Sequence, residues 1–240
     1  WRLDDSRYIQ ADLMSDVIFF SLTADQNGQI VKTAGNGQEP GWRWWSSPVV
    51  RNQIAKTQIT GGKFSLAIAM QDQKQIEPFL HSATAQQSLI RNLLEQVHAD
   101  KLNGVNLDVE LDGKTPDADR QAFTSFATSL VSTFHQQAAG TELTIDLPPL
   151  GVRTAGLYDV PSLAGLFDRV IVMSYDYYAA GSDVAGPVAP MSGFQQGQYF
   201  FDVSTTYDDY LKVVPKDKLV MGVPYYGYDW PVQDASKPLA

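Results

Sequence analysis

The sequence contains no cysteine, which excludes disulfides, thiolate nucleophiles and zinc–thiolate sites from its chemistry. Histidine is scarce as well: His81, His98 and His135 lie in or beside helical patterns without the spacing of metal ligands, so we expect neither a metal nor a cofactor. No apolar run approaches the roughly 18 residues that a membrane helix needs, and we expect no membrane span. Basic residues number 18 against 27 acidic ones, and the net charge of −9 argues against nucleic acid as a partner.

Length and composition are those of an ordinary globular domain. The 240 residues fit the range of roughly 200–250 that one large barrel can occupy. A hydrophobic share of 44% with 19% charged residues excludes disorder and fibrous repeats. No internal repeat divides the chain, and we expect one domain over residues 1–240, present as a monomer.

Short apolar runs alternate with amphipathic stretches along the chain. The runs predict six β-strands, at residues 16–22, 64–70, 104–109, 143–147, 170–175 and 219–224. The stretches at 82–99 and 117–137 repeat apolar residues with helical spacing and predict helices. This alternation predicts an α/β fold with a parallel sheet, either doubly wound or a (β/α)8 barrel. Because no glycine-rich phosphate loop follows the first strand, we favour the (β/α)8 TIM barrel.

The third predicted strand carries a row of polar side chains. Asn106, Asp108 and Glu110 alternate along it, so they share one face and point into the predicted lumen, towards the end where barrel active sites lie. Repulsion between the carboxylates, together with partial burial, is expected to raise the proton affinity of Glu110, which suits a general acid. Spacing alone leaves a second interpretation open, a carboxylate pair that caps the next helix or binds a cation.

Three segments, in order, resemble glycoside hydrolase family 18, which includes chitinases. Residues 103–110 (Asn-Gly-Val-Asn-Leu-Asp-Val-Glu) resemble that family's Asp-Gly-x-Asp-x-Asp-x-Glu signature. Residues 172–176 are similar to the Met-x-Tyr-Asp segment of its sixth barrel strand, and residues 219–230 to its seventh strand and following loop. The last segment most resembles the branch of di-N-acetylchitobiases and spore-cortex N-acetylglucosaminidases.

The resemblance implies which barrel strands the chain contains. The six predicted strands correspond to the second to seventh of the barrel, so we expect an incomplete barrel: an open arc with unpaired edges at 17–22 and 219–223. Residues 4–13 are similar to the helix that follows the first strand. The family further implies a fragment of a longer protein that is secreted or held in the cell envelope.

The resemblance also implies roles for individual residues. Glu110 matches the general acid/base, and Asp108 the carboxylate that orients the substrate's N-acetyl group. In this family the acetamido oxygen attacks the anomeric carbon, which gives net retention. Tyr175 matches the hydroxyl that supports the acetamido group, and Asp176 matches a polar contact to the sugar. Met173 is expected to pack beneath that subsite, with an ordinary core position as an equally open alternative.

Two asparagines depart from the family signature. Asn103 and Asn106 stand where the full signature has aspartates, and the inner aspartate ordinarily shares a proton with the middle one. An amide at Asn106 can hydrogen-bond Asp108 through its NH2 group but cannot hold a negative charge. We interpret the change as the mark of a tuned enzyme, with Asn106 a substrate-binding residue, and keep an inactive protein as the alternative.

Aromatic residues near the strand ends fit a sugar site, because flat rings stack on pyranose faces. Tyr177, Tyr226 and Trp230 are predicted to bind substrate. For residues 42–45, which hold three tryptophans in a predicted loop, sugar stacking and loop anchoring remain equally open.

The predicted activity is hydrolysis of β-1,4-linked N-acetylglucosamine glycosides. Chitin oligosaccharides and peptidoglycan both carry the acetamido group, so the sequence leaves the choice between them open. A chitinase-like lectin that binds glycans without turnover is the alternative. Such lectins typically lack the acid glutamate, so the presence of Glu110 argues against this alternative.

Overall fold

A computed structural model describes residues 10, 13–111, 113–154, 156–232 and 236. The strands are β1 (Asp16–Thr23), β2 (Thr33–Ala34), β3 (Gly37–Gln38), β4 (Lys63–Met70), β5 (Gly104–Val109), β6 (Glu142–Leu147), β7 (Arg169–Val172) and β8 (Leu219–Met221). The helices are α1 (Pro40–Trp45), α2 (Pro48–Ile59), α3 (Gln73–Leu80), α4 (Ala83–Asp100), α5 (Asp117–Gln137), α6 (Val160–Leu166) and α7 (Val203–Tyr210).

Six strands form one parallel sheet in the order β1-β4-β5-β6-β7-β8, and β2 and β3 form a separate short hairpin. All six predicted strands are present, and the two predicted helices correspond to α4 and α5. Within the described residues β1 and β8 do not pair with each other, so the sheet is an arc of a barrel that does not close. This confirms the predicted α/β fold and the open edges. The helix predicted over residues 4–13 lies mostly outside the described residues.

Several predictions about local structure are wrong, among them the end of the last strand, since β8 ends at Met221 and not at Pro224. The tryptophan-rich segment is not a loop: it forms α1, whose N-terminus is capped by the Glu39 side chain, and Trp45 is fully buried in the core. Its indole Nε1 donates to Gln96 on α4, so this ring anchors a helix and is unavailable to a sugar. Strand β7 ends at Val172 and not at Tyr175, because the chain turns sharply just before the candidate site.

Buried apolar side chains hold the helices against the outer face of the sheet. Val105 and Leu107 alternate with the polar row of β5 and lie in the same core cluster as Phe123 and Phe126 of α5. The Tyr158 hydroxyl donates to the carbonyl of Val109 at 2.7 Å, which fixes the last residue of β5. The strand that carries the polar row is therefore held along its whole length.

Ion pairs bring strands together at the N-terminal ends of the arc, which we call the floor. Arg169 Nη1 on β7 lies 3.2 Å from Asp16 Oδ2 on β1, and Arg169 Nε lies 2.7 Å from Glu142 Oε1 on β6. Lys63 on β4 also pairs with Glu142. Because Asp16 and Arg169 lie on strands that are four places apart in the sheet, the pair shows how strongly the arc curves. No helix in the described part of the chain has the length and apolarity needed to cross a membrane.

Candidate active site

Glu110 directly follows β5, at the carboxyl ends of the parallel strands. Its amide donates to the Met70 carbonyl at 2.9 Å, which continues the pairing with β4 by one residue. The side chain is half-buried, and the Gln71 Nε2 donates to Glu110 Oε1 at 2.5 Å. The carboxyl is thus held at the mouth of the arc, where barrel enzymes place their catalytic groups.

Asp108 lies one lumen position below Glu110 and is fully buried. Within the described residues, neither of its carboxyl oxygens has a hydrogen-bond partner. Burial, together with the negative charges of Glu110 and Asp146, raises the pKa of Asp108 to about 8. The sequence predicted a raised proton affinity at Glu110. In the structure the fully buried carboxyl of this row is instead that of Asp108.

Asn106 does not make the contact that the sequence suggested. Both hydrogen bonds of its Nδ2 go to β6, to Thr144 Oγ1 and to Asp146 Oδ1, each at 2.9 Å. The expectation that this amide group bonds Asp108 is therefore wrong, because the neighbouring strand offers two acceptors. The Asn106 side chain is 1% exposed, so almost none of its surface is open to solvent.

Asp146 is a functional candidate that the sequence interpretation missed. It lies on β6 with its side chain buried. Burial raises its pKa, the hydrogen bond from Asn106 lowers it and the charge of Glu110 raises it, and the net result is a pKa of about 7. The signal was present in the sequence: Thr144 and Asp146 alternate along β6 as Asn106 and Asp108 do along β5.

The turn after β7 brings Tyr175 to the site. The Ser174 hydroxyl donates to the Gly222 carbonyl at 2.6 Å, and the Gly222 amide donates to the Val172 carbonyl at 2.8 Å. A Cβ at Gly222 would lie 2.5 Å from the Val172 carbonyl oxygen and 3.1 Å from the Tyr175 ring, so the close approach requires glycine. Burial, together with the charges of the surrounding carboxylates, Asp146 foremost, raises the pKa of Tyr175 to about 12.

Asp176 anchors a group of tyrosines at the rim. Its backbone is in the left-handed region with φ of 58°, and its Oδ1 accepts the hydroxyls of Tyr226 and Tyr228, both at 2.8 Å. The Tyr226 ring meets the Tyr175 ring edge to face, with centroids 6.1 Å apart. These contacts place the loop after β8 beside Tyr175 and Asp176.

A cavity of about 230 Å³ unites most of the predicted site residues. Glu110, Met173, Tyr175, Asp176 and Tyr177 line it. A second cavity of about 490 Å³ shares Glu110 and extends away from it, so the glutamate stands where two cavities meet. A glycan that occupies both would have one of its bonds beside this carboxyl.

Two predicted substrate-binding residues are less directly placed. The Tyr177 ring lies in a satellite core, and its hydroxyl hydrogen-bonds Thr206 at 2.5 Å. Trp230 packs near Tyr228, with ring centroids 5.8 Å apart, and lines a different cavity from the one that holds Glu110. Among the described residues no group of three or more acidic or histidine side chains is arranged to hold a metal ion.

A more apolar cavity of about 470 Å³ lies along β1, the edge strand, against α1 and α2. Glu39 is the carboxylate in its lining, and that side chain already accepts the Trp42 amide at the start of α1. Since the described lining of this cavity holds no second carboxyl for acid and base work, the candidate active site is the one around Glu110.

The chain matches a known protein family and several of its relatives. The family model of glycosyl hydrolases family 18 matches residues 1–238. YdhD of Bacillus subtilis, named as a sporulation-specific glycosylase, is 29% identical over 225 residues, which cover 92% of this chain and 47% of that protein. Di-N-acetylchitobiase of Rattus norvegicus is 28% identical over 159 residues, which cover 64% of this chain and 41% of the relative.

The fold is also similar to solved structures. The Group IV chitinase of Ostrinia furnacalis, crystallised with allosamidin, superposes with a TM-score of 0.77 at 21% identity, covering 98% of this chain and 64% of that one. At this identity the likeness concerns the fold alone. The chain spans less than half the length of the two curated relatives described above.

Proposed function

The chain belongs to glycosyl hydrolases family 18, and we propose that it hydrolyses β-1,4-linked N-acetylglucosamine glycosides with retention of configuration. The observation that carries this proposal is the position of Glu110. Its carboxyl stands at the end of β5 where two cavities meet, directly above the buried Asp108. A proton donor at a junction of two subsites is what cleavage of a glycosidic bond needs.

In the first step Glu110 gives its proton to the glycosidic oxygen, and the bond from that oxygen to C1 breaks. The acetamido oxygen of the same sugar attacks C1 from the opposite face, and an oxazolinium ion forms. Asp108 orients the acetamido N–H and, once ionised, stabilises the positive charge that develops there. Tyr175 lines the same cavity as Glu110, and its hydroxyl supports the acetamido group.

In the second step water attacks C1 of the oxazolinium ion. Glu110, now a carboxylate, takes a proton from that water, and the C1–O bond to the acetamido oxygen breaks. The sugar leaves with its original configuration and the acid is restored. Gln71 holds Glu110 through a hydrogen bond in the structure, which keeps the carboxyl in position between the two steps.

The substrate class follows from the acetamido group that this mechanism requires. Chitin oligosaccharides and peptidoglycan both present it, and the relatives include a di-N-acetylchitobiase and a sporulation-specific glycosylase. We propose a glycan of one of these two kinds as the partner. Since such polymers are found in cell walls, we further propose that the protein acts outside the cytoplasm, which fractionation of cells that make the native protein would test.

The test is incubation with N-acetylglucosamine oligomers and with purified peptidoglycan, followed by mass analysis of the products and NMR of the newly formed anomer. We expect shorter glycans with β configuration. Glu110→Gln should lower turnover by about a hundredfold to ten-thousandfold while affinity stays within about tenfold. Glu77→Gln, an exposed glutamate on α3, is the matched control. Binding without turnover by the parent protein would instead support a lectin.

A further inference from the structure

A second buried carboxyl stands on the strand beside the catalytic row. Asp146 on β6 is within hydrogen-bond distance of Asn106 on β5, and both side chains are at least nine-tenths buried. No ion pair among the described residues includes Asp108 or Asp146. A buried carboxyl without a basic partner is costly, so its position calls for a reason.

The hydrogen bonds of Asn106 fix which way its amide faces. Because Thr144 and Asp146 both accept from Nδ2, the amide nitrogen is committed to β6. In this cluster three buried oxygens are then left without a donor among the described residues, namely Asn106 Oδ1 and both carboxyl oxygens of Asp108. A proton on Asp108 supplies the donor that this cluster lacks.

We propose that Asp146 is a positioning residue, which holds Asn106 by its amide nitrogen and, by its charge, adds to the burial and to the charge of Glu110 that favour a proton on Asp108 in the resting enzyme. This inference rests on the proposed function, since Asp108 serves the acetamido group there. Asn106 stands where the family signature has an aspartate. A carboxyl is instead present on the neighbouring strand, at Asp146, which is hydrogen-bonded to Asn106.

The charge of Asp146 can be removed without changing a residue that lines the cavity around Glu110. Asp108 and Glu110 face it from β5, and Tyr175 faces it from the turn after β7. The adjoining lumen positions of β4 are Ala67 and Ala69, which cannot titrate. The basic groups of the lumen, Lys63 and Arg169, lie at the floor and are paired with Asp16 and Glu142.

Asp146→Asn keeps the shape and removes the charge. Because Asp108 must be ionised to stabilise the oxazolinium ion, the acidic limb of the pH profile of kcat/KM should move to lower pH by on the order of one unit. Asn106→Asp adds a charge and should move the limb the other way. In the double variant Asn106→Asp/Asp146→Asn the carboxyl and amide exchange strands, and the limb should return towards its parental position.

Thr144→Val is the matched control, because it removes one acceptor of the Asn106 amide without changing the charge. It should leave the limb in place. An Asp146→Asn enzyme that is active with the parental limb would overturn the inference, as would an exchanged double variant that behaves like Asp146→Asn. Asp146→Ala provides a second variant with the same expected direction.

A readout independent of activity separates this inference from the proposed function. The carboxyl of Asp108 in the intact protein can be followed by carbon NMR of aspartate-labelled samples across pH 4–9. Its titration midpoint should fall by on the order of one unit in Asp146→Asn. If the parent turns over none of the glycans but this midpoint shifts, the proposed function fails while the coupling stands. An unchanged midpoint in an active enzyme refutes the coupling alone.

Discussion

The Asp108→Asn variant should become increasingly more stable than the parent protein as the pH rises. The substitution also removes the carboxyl that the reaction needs. The side chain is fully buried and its pKa in the folded protein is about 8, against an ordinary value of 3.8. Asparagine has nearly the same shape and does not titrate. The variant therefore isolates the free-energy cost of keeping an acid at this position.

The sign follows from proton linkage. A carboxyl whose pKa is raised by folding binds its proton more tightly in the folded state, so its contribution to stability is fully present below pH 3.8 and is lost as the pH rises towards 8. Each pH unit in this window costs about 1.4 kcal/mol, and between pH 3.8 and pH 7 the cost reaches about 4 kcal/mol. In the Asp108→Asn variant the side-chain amide introduced at this position is buried without a hydrogen-bond partner, and the free-energy cost of this burial does not depend on pH.

Urea unfolding at half-unit steps from pH 4 to pH 7.5 and constant ionic strength measures the effect. We expect the free energy of unfolding of Asp108→Asn to gain on that of the parent by up to about 1.4 kcal/mol per pH unit. Asp208→Asn, an exposed acid on α7, controls for the change in net charge. Parallel curves for parent and Asp108→Asn across this range would refute the reasoning, since they would mean that Asp108 is ionised in the folded protein.

Three further predictions concern the groups that hold the site. Tyr175→Phe should lower kcat on N-acetylglucosamine oligomers by about a hundredfold with little change in melting temperature, because one transition-state hydrogen bond is lost. Gln71→Ala should lower kcat/KM about tenfold by freeing Glu110, and circular dichroism should show an intact fold, since Gln71 is exposed. Gly222→Ala should reduce kcat and stability together, because its Cβ would meet the Val172 carbonyl and displace the Tyr175 ring; wild-type kinetics in any of the three would contradict the assigned contact.

The elements that the sequence predicted well are those whose signal is local. The strands are short and apolar, and α4 begins after Ser82, whose hydroxyl accepts the Ala85 amide as expected for an N-cap. The row on β5 could be predicted because side chains alternate within one strand. The tryptophan-rich segment failed because Pro40 and the Glu39 cap start a helix whose Trp45 is drawn into the core, and that contact is with a distant helix.

The contacts between strands could not be read from one strand at a time. The amide of Asn106 faces β6 because register places Thr144 opposite it, and that pairing is a property of the assembled sheet. Asp146 alternates along its strand as Asp108 does, but its segment matches no family motif, and alternation alone did not predict a site residue there. The turn that ends β7 early depends on Gly222, which lies some fifty residues later in the chain.

Charge is distributed differently at the two ends of the arc. At the floor the acids form ion pairs with bases: Asp16 pairs with Arg169, and Glu142 pairs with both Lys63 and Arg169. Above them, Asp108 and Asp146 are buried with raised pKa values, caused first by burial, and no ion pair among the described residues includes either. A lumen built for stability alone would repeat the floor's pairing or fill the space with apolar side chains. The unpaired acids stand beneath the cavity that holds Glu110, so we attribute their cost in stability to the chemistry at that carboxyl.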